Sequence, residues 1–195
     1  SLGKTQRSIN LADEGLQTHG DYDFFRNGDL LIYHSKTEQS FLQSIETFVR
    51  ARQTRMDPPV EGEGLYRCNG QAQNCRLFSS ELPAFYTSFR IFIDRSKDDV
   101  FVADTPRFKL YRLNSVGEII ASSDKGLKFP NQILLENNRL YVANTNFHSI
   151  KILDPSINDF GEELASHEAI LSNKHRWPSQ LTSTDKNWWV IIADN

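Results

Sequence analysis

FRIFIDRSKDDVFVADT, residues 89–105, and NQILLENNRLYVANT, residues 131–145, carry one design twice. Each has a short apolar run, a polar turn, a second apolar run and a small-then-polar ending. Runs of five or six residues rich in β-branched and aromatic side chains predict strands, because a pleated half-buried surface accepts them best. DYDFFRNGDLLIYHS (21–35) and SQLTSTDKNWWVIIADN (179–195) repeat the pattern. Aligned on the second run, Asp29, Asp99, Arg139 and Trp189 correspond, at spacings of 70, 40 and 50 residues.

A second register runs alongside. LYRCNGQAQNCRLF (65–78), LYRLNSVGEIIAS (110–122) and IKILDPSINDFGEEL (150–164) each read as a hairpin whose turn contains Gly, Asn or Pro. Joining the registers predicts units of four short strands. The first is 21–26, 29–34, 65–68 and 75–78; the second is 89–94, 99–104, 108–113 and 117–122. The third is 131–136, 139–144, 149–153 and 163–168, and a fourth shows only 179–184 and 188–193. Four strands per unit at a period near 40 residues predict an all-β chain folded as a β-propeller, with about four blades visible and the last incomplete. A generic antiparallel sandwich is the bland alternative, but it requires no matched units.

The 70-residue first spacing calls for an insertion, assigned to 36–64. Within it, SFLQSIETFVRARQTR (40–55) sets Phe41, Leu42, Ile45, Phe48 and Val49 on one helical face. Ser40 with Gln43 matches a capping box. Arg50, Arg52 and Arg55 sit where cations favour the helix dipole. A helix packed on the propeller is expected there, and a partner-binding helix is the sharper alternative.

The chain has 195 residues, 38% of them hydrophobic and 24% charged, an ordinary composition for one folded domain. A net charge of −3 argues against a nucleic-acid partner. No stretch reaches the ~18 apolar residues of a membrane span. The N-terminus lacks both a signal peptide's apolar core and an initiator Met. The other end stops inside the apolar run WWVIIADN. The expectation is a single domain over 1–195, truncated at its C-terminus; whether a leader or anchor precedes residue 1 is left open.

Cys68 and Cys75, the only cysteines, fall on the two strands of one hairpin. Directly opposed residues there can bring Cβ atoms within reach of a disulfide. Buried free thiols and a metal or redox role are the alternatives; two Cys without nearby His make a poor zinc set. A disulfide would place the chain in an oxidising, extracytoplasmic compartment: periplasmic, secreted or membrane-tethered. His34, Asp104, Asn144 and Asp194 close the second strand of successive units. They read as a candidate ring of binding residues or, more simply, as acceptors for nearby turn amides. The five His residues show no metal-binding spacing, and no G-x-S-x-G, P-loop or G-x-G-x-x-G occurs. Trp177, Trp188 and Trp189 read as packing between blades more readily than as a sugar platform.

VFVADTPRFKLYRLNSVGEII (100–120) and FPNQILLENNRLYVANTNFHSIKILDP (129–155) resemble NHL repeats, in which an apolar strand ending V-A-D-T or V-A-N-T is followed by a polar turn and I-x-x-[ILVF]. The resemblance covers 89–155 well and 21–35 and 179–195 in part. It implies a propeller, usually six-bladed, so that about two further blades would follow Asn195; a closed four-bladed ring whose last blade is finished by residues 1–19 is the alternative. It implies no particular activity. Gluconolactonase-like lactonases are similar propellers with a divalent-metal Asn in a Pro-Asn-Gly motif at an inner strand start. Asn131 matches the Pro-Asn part, Gln132 replaces the Gly, and Ser179 stands where an acidic ligand would be wanted. The functional expectation is therefore a non-enzymatic binding or scaffold module needing no cofactor, with a protein or small-molecule partner and a surface at Asn131, Ser179, Asn144 and Asp104. The competing expectation is a metal-dependent lactone or ester hydrolase holding a divalent cation such as calcium through Asn131.

Overall fold

A computed structural model of the chain describes residues 10–16, 18–34, 61–82, 89–171, 174–183 and 188–193. The helix expected over 40–55 lies outside the described residues, as do Asp194 and Asn195. What is described is almost entirely antiparallel β-structure.

Sheet one comprises β1 (Thr18–Phe24), β2 (Leu30–His34), β3 (Gly64–Cys68) and β4 (Arg76–Ser79). Sheet two comprises β5 (Phe89–Asp94), β6 (Asp99–Asp104), β7 (Lys109–Leu113) and β8 (Ile119–Ser123). Sheet three comprises β9 (Pro130–Glu136), β10 (Arg139–Asn144), β11 (Ser149–Leu153) and β12 (Glu163–Glu168). In each, the strands pair in chain order. A two-residue hairpin, β13 (Ile170–Leu171) with β14 (Lys174–His175), then leads to sheet four, β15 (Trp177–Ser183) with β16 (Trp188–Ala193). The sequence reading missed β13 and β14, because strands of two residues show no alternation.

The turns explain the strand ends. Asn137 and Asn138 both take positive φ in the two-residue β9–β10 turn, the backbone that Asn tolerates best after Gly. The outer hairpins start on a repeated acceptor. Asn69 Oδ1 accepts the Gln71 and Gln73 amides, Asn114 Oδ1 accepts those of Val116 and Glu118, and Asp154 Oδ1 accepts that of Ser156.

The sheets follow one another in series. β1 lies against β5, β5 against β9, and β9 against β15, so the first strands adjoin although they belong to different sheets. Alternation gives each sheet two apolar faces. Leu31, Tyr33 and Leu65 of sheet one pack on Ile91, Ile93, Val100, Val102, Tyr111 and Leu113 of sheet two. The opposite face of sheet two presents Phe101, Ala103 and Leu110 to Ile133, Leu140, Val142 and Leu153 of sheet three. Burying each large apolar side chain contributes roughly 1.5–3 kcal/mol, so these two seams dominate the stability of the array.

Two close approaches lock the outer parts of the seams. Gly117, at positive φ, leaves no room for a side chain: an added Cβ would lie 1.9 Å from the Phe78 carbonyl oxygen of sheet one. Gly161 repeats the contact one sheet on, 2.3 Å from Ser123 Oγ. At the inner side, β5 has an unpaired edge facing sheet one. Asp21 Oδ2 accepts the Ile91 amide at 3.0 Å and Asp23 Oδ2 the Ile93 amide at 2.8 Å, so two carboxylates stand in for a missing strand.

Candidate functional site

The described residues singled out by sequence lie, sheet by sheet, at the edge where the first strand begins beside the end of the second strand. Asp104 and Asn144 end β6 and β10, and both side chains are buried. Asp104 Oδ1 accepts the Arg107 amide at 3.2 Å and Oδ2 accepts Arg107 Nη1 at 3.1 Å. Burial pushes the Asp104 carboxyl above its ordinary pKa, and Arg107 opposes that shift. Asn144 Oδ1 accepts the Lys128 amide at 2.6 Å, and Nδ2 donates to the Gly126 carbonyl at 3.1 Å. Both side chains spend hydrogen-bonding capacity on neighbouring turns. His34, at the same place in sheet one, is buried with its ring edge-on to Tyr66 at 5.4 Å.

Asn131 and Ser179 sit differently. In sheet three, Gln132 pairs with Ala143 and Pro130 with Asn144, leaving Asn131 as the extra residue of a β-bulge. In sheet four, Gln180 pairs with Ile191 and Pro178 with Ile192, leaving Ser179 in the same role. A bulge re-aims a side chain out of the regular alternation and is common beside binding sites. Asn131 is half-buried, and its side chain has no hydrogen-bond partner among the described residues. Ser179 Oγ donates to the Ile191 carbonyl at 3.0 Å.

One repeated contact escaped the sequence reading. The buried Thr105 Oγ1 donates to the Pro130 carbonyl at 2.7 Å, and Thr145 Oγ1 donates to the Pro178 carbonyl at 2.7 Å. Each Thr directly follows the closing Asp or Asn and ties its sheet to the bulged start of the next. The signal was present as A-[DN]-T followed by [FW]-P-[NS], but nothing local links the two motifs. Bulges and hydroxyl ties therefore position Asn131 and Ser179 on equivalent, rigidly held strand starts.

A second repeated pair lies at the opposite strand ends. Asp29 and Arg67 form an ion pair at 2.8 Å in sheet one, and Asp99 accepts from Arg112 Nε at 3.1 Å in sheet two. The Arg67 guanidinium stands 3.9 Å over the Phe25 ring, and that of Arg112 stands 5.6 Å over Phe101. The Asn27 side-chain hydrogen bond, helped by Arg67, holds the Asp29 carboxyl below its ordinary pKa. Arg112 also borders a cleft of about 240 Å³ between sheets two and three, walled by Phe101, Leu135, Pro155 and Ile157.

Cys68 and Cys75 are disulfide-bonded, with Cα atoms 4.0 Å apart, directly beyond the Arg67–Arg76 pair of the β3–β4 hairpin. Trp177 is half-buried with its ring 5.8 Å from His148, a packing contact at the start of β15. No three His, Cys, Asp or Glu side chains converge as a metal-holding group among the described residues. No helix among them is long and apolar enough to cross a membrane.

No protein-family model and no curated protein matches this chain. Solved structures do. A functionally unknown protein from Desulfotomaculum acetoxidans aligns with a TM-score of 0.51 at 11% identity, over 89% of this chain and 54% of that one. A protein of unknown function from Bacteroides caccae aligns at 0.48 and 15% identity, over 85% and 49%. A chain of a nidogen/laminin complex aligns at 0.47 and 14%, over 72% and 43%. This chain thus spans about half the length of the D. acetoxidans protein, and at such identity that likeness is one of fold alone.

Proposed function

We propose that the chain is a run of NHL-like β-propeller blades serving as a non-enzymatic, extracytoplasmic binding or scaffold module. The serial sheets with adjoining first strands support the propeller, since small sheets stacked face to face about an axis bring their innermost strands together. The Cys68–Cys75 bond supports an oxidising compartment.

The observation that carries the binding reading is the matched pair of bulges at Asn131 and Ser179. Both stand at the start of an innermost strand, where a propeller's channel opens. The neighbouring Asp104 and Asn144 hold turns, so the chemistry left at the half-buried Asn131 and Ser179 is that of a neutral amide and a hydroxyl, able to donate and accept hydrogen bonds. Such a set recognises a polar ligand without supplying an acid, a base or a nucleophile in an activated state.

The test is a melting series with calcium and zinc, paired with a hydrolysis assay on a γ-lactone. Binding without catalysis predicts no metal-dependent rise in Tm and no turnover. A metal-stabilised protein that hydrolyses the lactone, and loses both properties on Asn131→Ala, would overturn the reading. Thiol titration of the denatured, unreduced protein should return no free thiol; two per chain would remove the support for an extracytoplasmic location.

A further inference from the structure

The buried and half-buried arginines of sheets one and two are, with one exception, each held by an aspartate. Arg67 is paired with Asp29, Arg107 with Asp104 and Arg112 with Asp99. The exception is Arg90, half-buried at the second position of β5. Among the described residues no carboxylate lies within ion-pair distance of it. Its Nη1 donates to the carbonyl of its own neighbour Phe89 at 3.1 Å, which leaves most of the guanidinium fork unspent. Two acids of the same strand end are engaged elsewhere. Asp21 Oδ2 accepts the Ile91 amide at 3.0 Å, and Asp104 Oδ2 accepts Arg107 Nη1 at 3.1 Å.

Alternation fixes the face on which Arg90 lies. Arg90 pairs with Ala103 as Phe92 pairs with Phe101. Phe101 and Ala103 are in the seam with sheet three and Phe92 packs on it, so Arg90 is on the face that looks at sheet three. The strand it meets there is β9, which adjoins β5. Asn131, the bulge residue, stands at the start of β9, followed by Gln132, which pairs with Ala143 as Arg90 pairs with Ala103. Both are half-buried, and neither side chain has a hydrogen-bond partner among the described residues. The Thr105–Pro130 tie holds the two strand starts together. Both strands belong to the middle of the row, with sheet one on one side and sheet four on the other.

A partly buried polar group without a protein partner gives up hydration and gains nothing in return. Here a guanidinium and two amides do so on adjoining strands, at the strand starts already singled out by the bulge. We infer that Arg90, Asn131 and Gln132 form a subsite for a small organic acid that carries a hydroxyl beside its carboxylate. The inference rests on the binding reading above and names the chemistry of its ligand. Arg90 takes the carboxylate through its planar fork, and the two amides donate to and accept from the hydroxyl. One guanidinium among neutral amides matches a single negative charge. A doubly charged anion would bring excess charge to a chain whose net charge is already −3.

Calorimetric titration of the whole chain with sodium lactate, at an ionic strength held constant with chloride, should give a saturable isotherm with a millimolar dissociation constant. Lactamide, which has nearly the same shape without the charge, should bind at least about tenfold more weakly. Inorganic phosphate should compete no better than chloride. Arg90→Gln should weaken lactate at least about tenfold, and Arg90→Lys, which keeps the charge and loses the fork, should fall between. Asn131→Leu with Gln132→Leu should weaken lactate and leave the binding of propionate, which lacks the hydroxyl, unchanged. None of these side chains is bonded to another strand, so melting curves without ligand should stay close to the parent's. The comparison of lactate with lactamide needs no variant at all. Lactamide as tight as lactate, phosphate displacing lactate, or an affinity unmoved by Arg90→Gln would each overturn the inference. So would a chain that binds no lactate. Binding of the neutral polyol erythritol, lost on Asn131→Ala, would then leave the broader binding reading intact while this one fell.

Discussion

Sheets two and three solve the same folding problem with different chemistry. In sheet two the second strand opens on Asp99, which holds the buried Arg112, and closes on Asp104. In sheet three the corresponding residues are Arg139, which is exposed, Ile152, which is buried, and Asn144. The strand order and the Thr tie to the next sheet are kept through all three changes, although the first two strands pair without a bulge in sheet two and with one at Asn131 in sheet three. The repeat therefore demands an acceptor at the strand end and a filled site beneath β7 or β11, and is indifferent to charge at either.

That comparison is tested hardest at Arg112. Its guanidinium also donates to the Pro155 carbonyl, linking sheet two to sheet three across the cleft. Arg112→Ala strands Asp99 as an unpaired buried carboxylate, which should cost about 3–5 kcal/mol. Replacing the pair by apolar groups, Asp99→Leu with Arg112→Ile (the second being what sheet three carries as Ile152), should return stability to within about 1–2 kcal/mol of the parent, because well-packed apolar groups commonly replace a buried ion pair. Urea denaturation gives both numbers. A double variant as unstable as Arg112→Ala would mean the charge itself is required and the two sheets are not interchangeable.

The strands themselves were open to reading from the sequence. The runs at 89–94, 99–104, 139–144, 149–153 and 163–168 have the expected ends, because alternation and turn residues are local signals. The Cys68–Cys75 bond was likewise legible as two facing positions of one hairpin. Contacts between sheets were not. That Thr105 finds Pro130, that Arg112 finds Pro155, and that Asp21 and Asp23 cap β5 all depend on how separate sheets stack. The bulges at Asn131 and Ser179 were also hidden. Sequence put both residues at strand starts, but the extra residue appears only once the partner strand's register is known.

The Thr ties predict a smaller effect, equal in the two sheets. Thr105→Val and Thr145→Val keep the shape and leave a buried proline carbonyl without its donor, so each should cost about 1–3 kcal/mol. The donor and acceptor are neutral in both, so neither loss should change with salt or between pH 5 and 8. Unequal losses, measured in the same denaturant series, would show that the two junctions are not equivalent.

The finest distinction is Asp104 against Asn144. Burial raises the Asp104 carboxyl's pKa in the folded protein, so between its ordinary value near 4 and the raised value the folded state holds more protons than the unfolded one. Stability contributed by the protonated carboxyl is complete below that ordinary value and is lost as pH rises through the raised one. Asp104→Asn keeps an acceptor for the Arg107 amide and removes the titration, as Asn144 does naturally. The stability of Asp104→Asn relative to the parent should therefore rise as pH goes from about 4 towards 7, whatever its sign at the lower end. Melting temperatures of the two proteins across that range decide the point. A difference that stays flat, or falls, would mean Arg107 compensates the buried charge fully and the carboxylate is as well suited to its site as the amide is to the next.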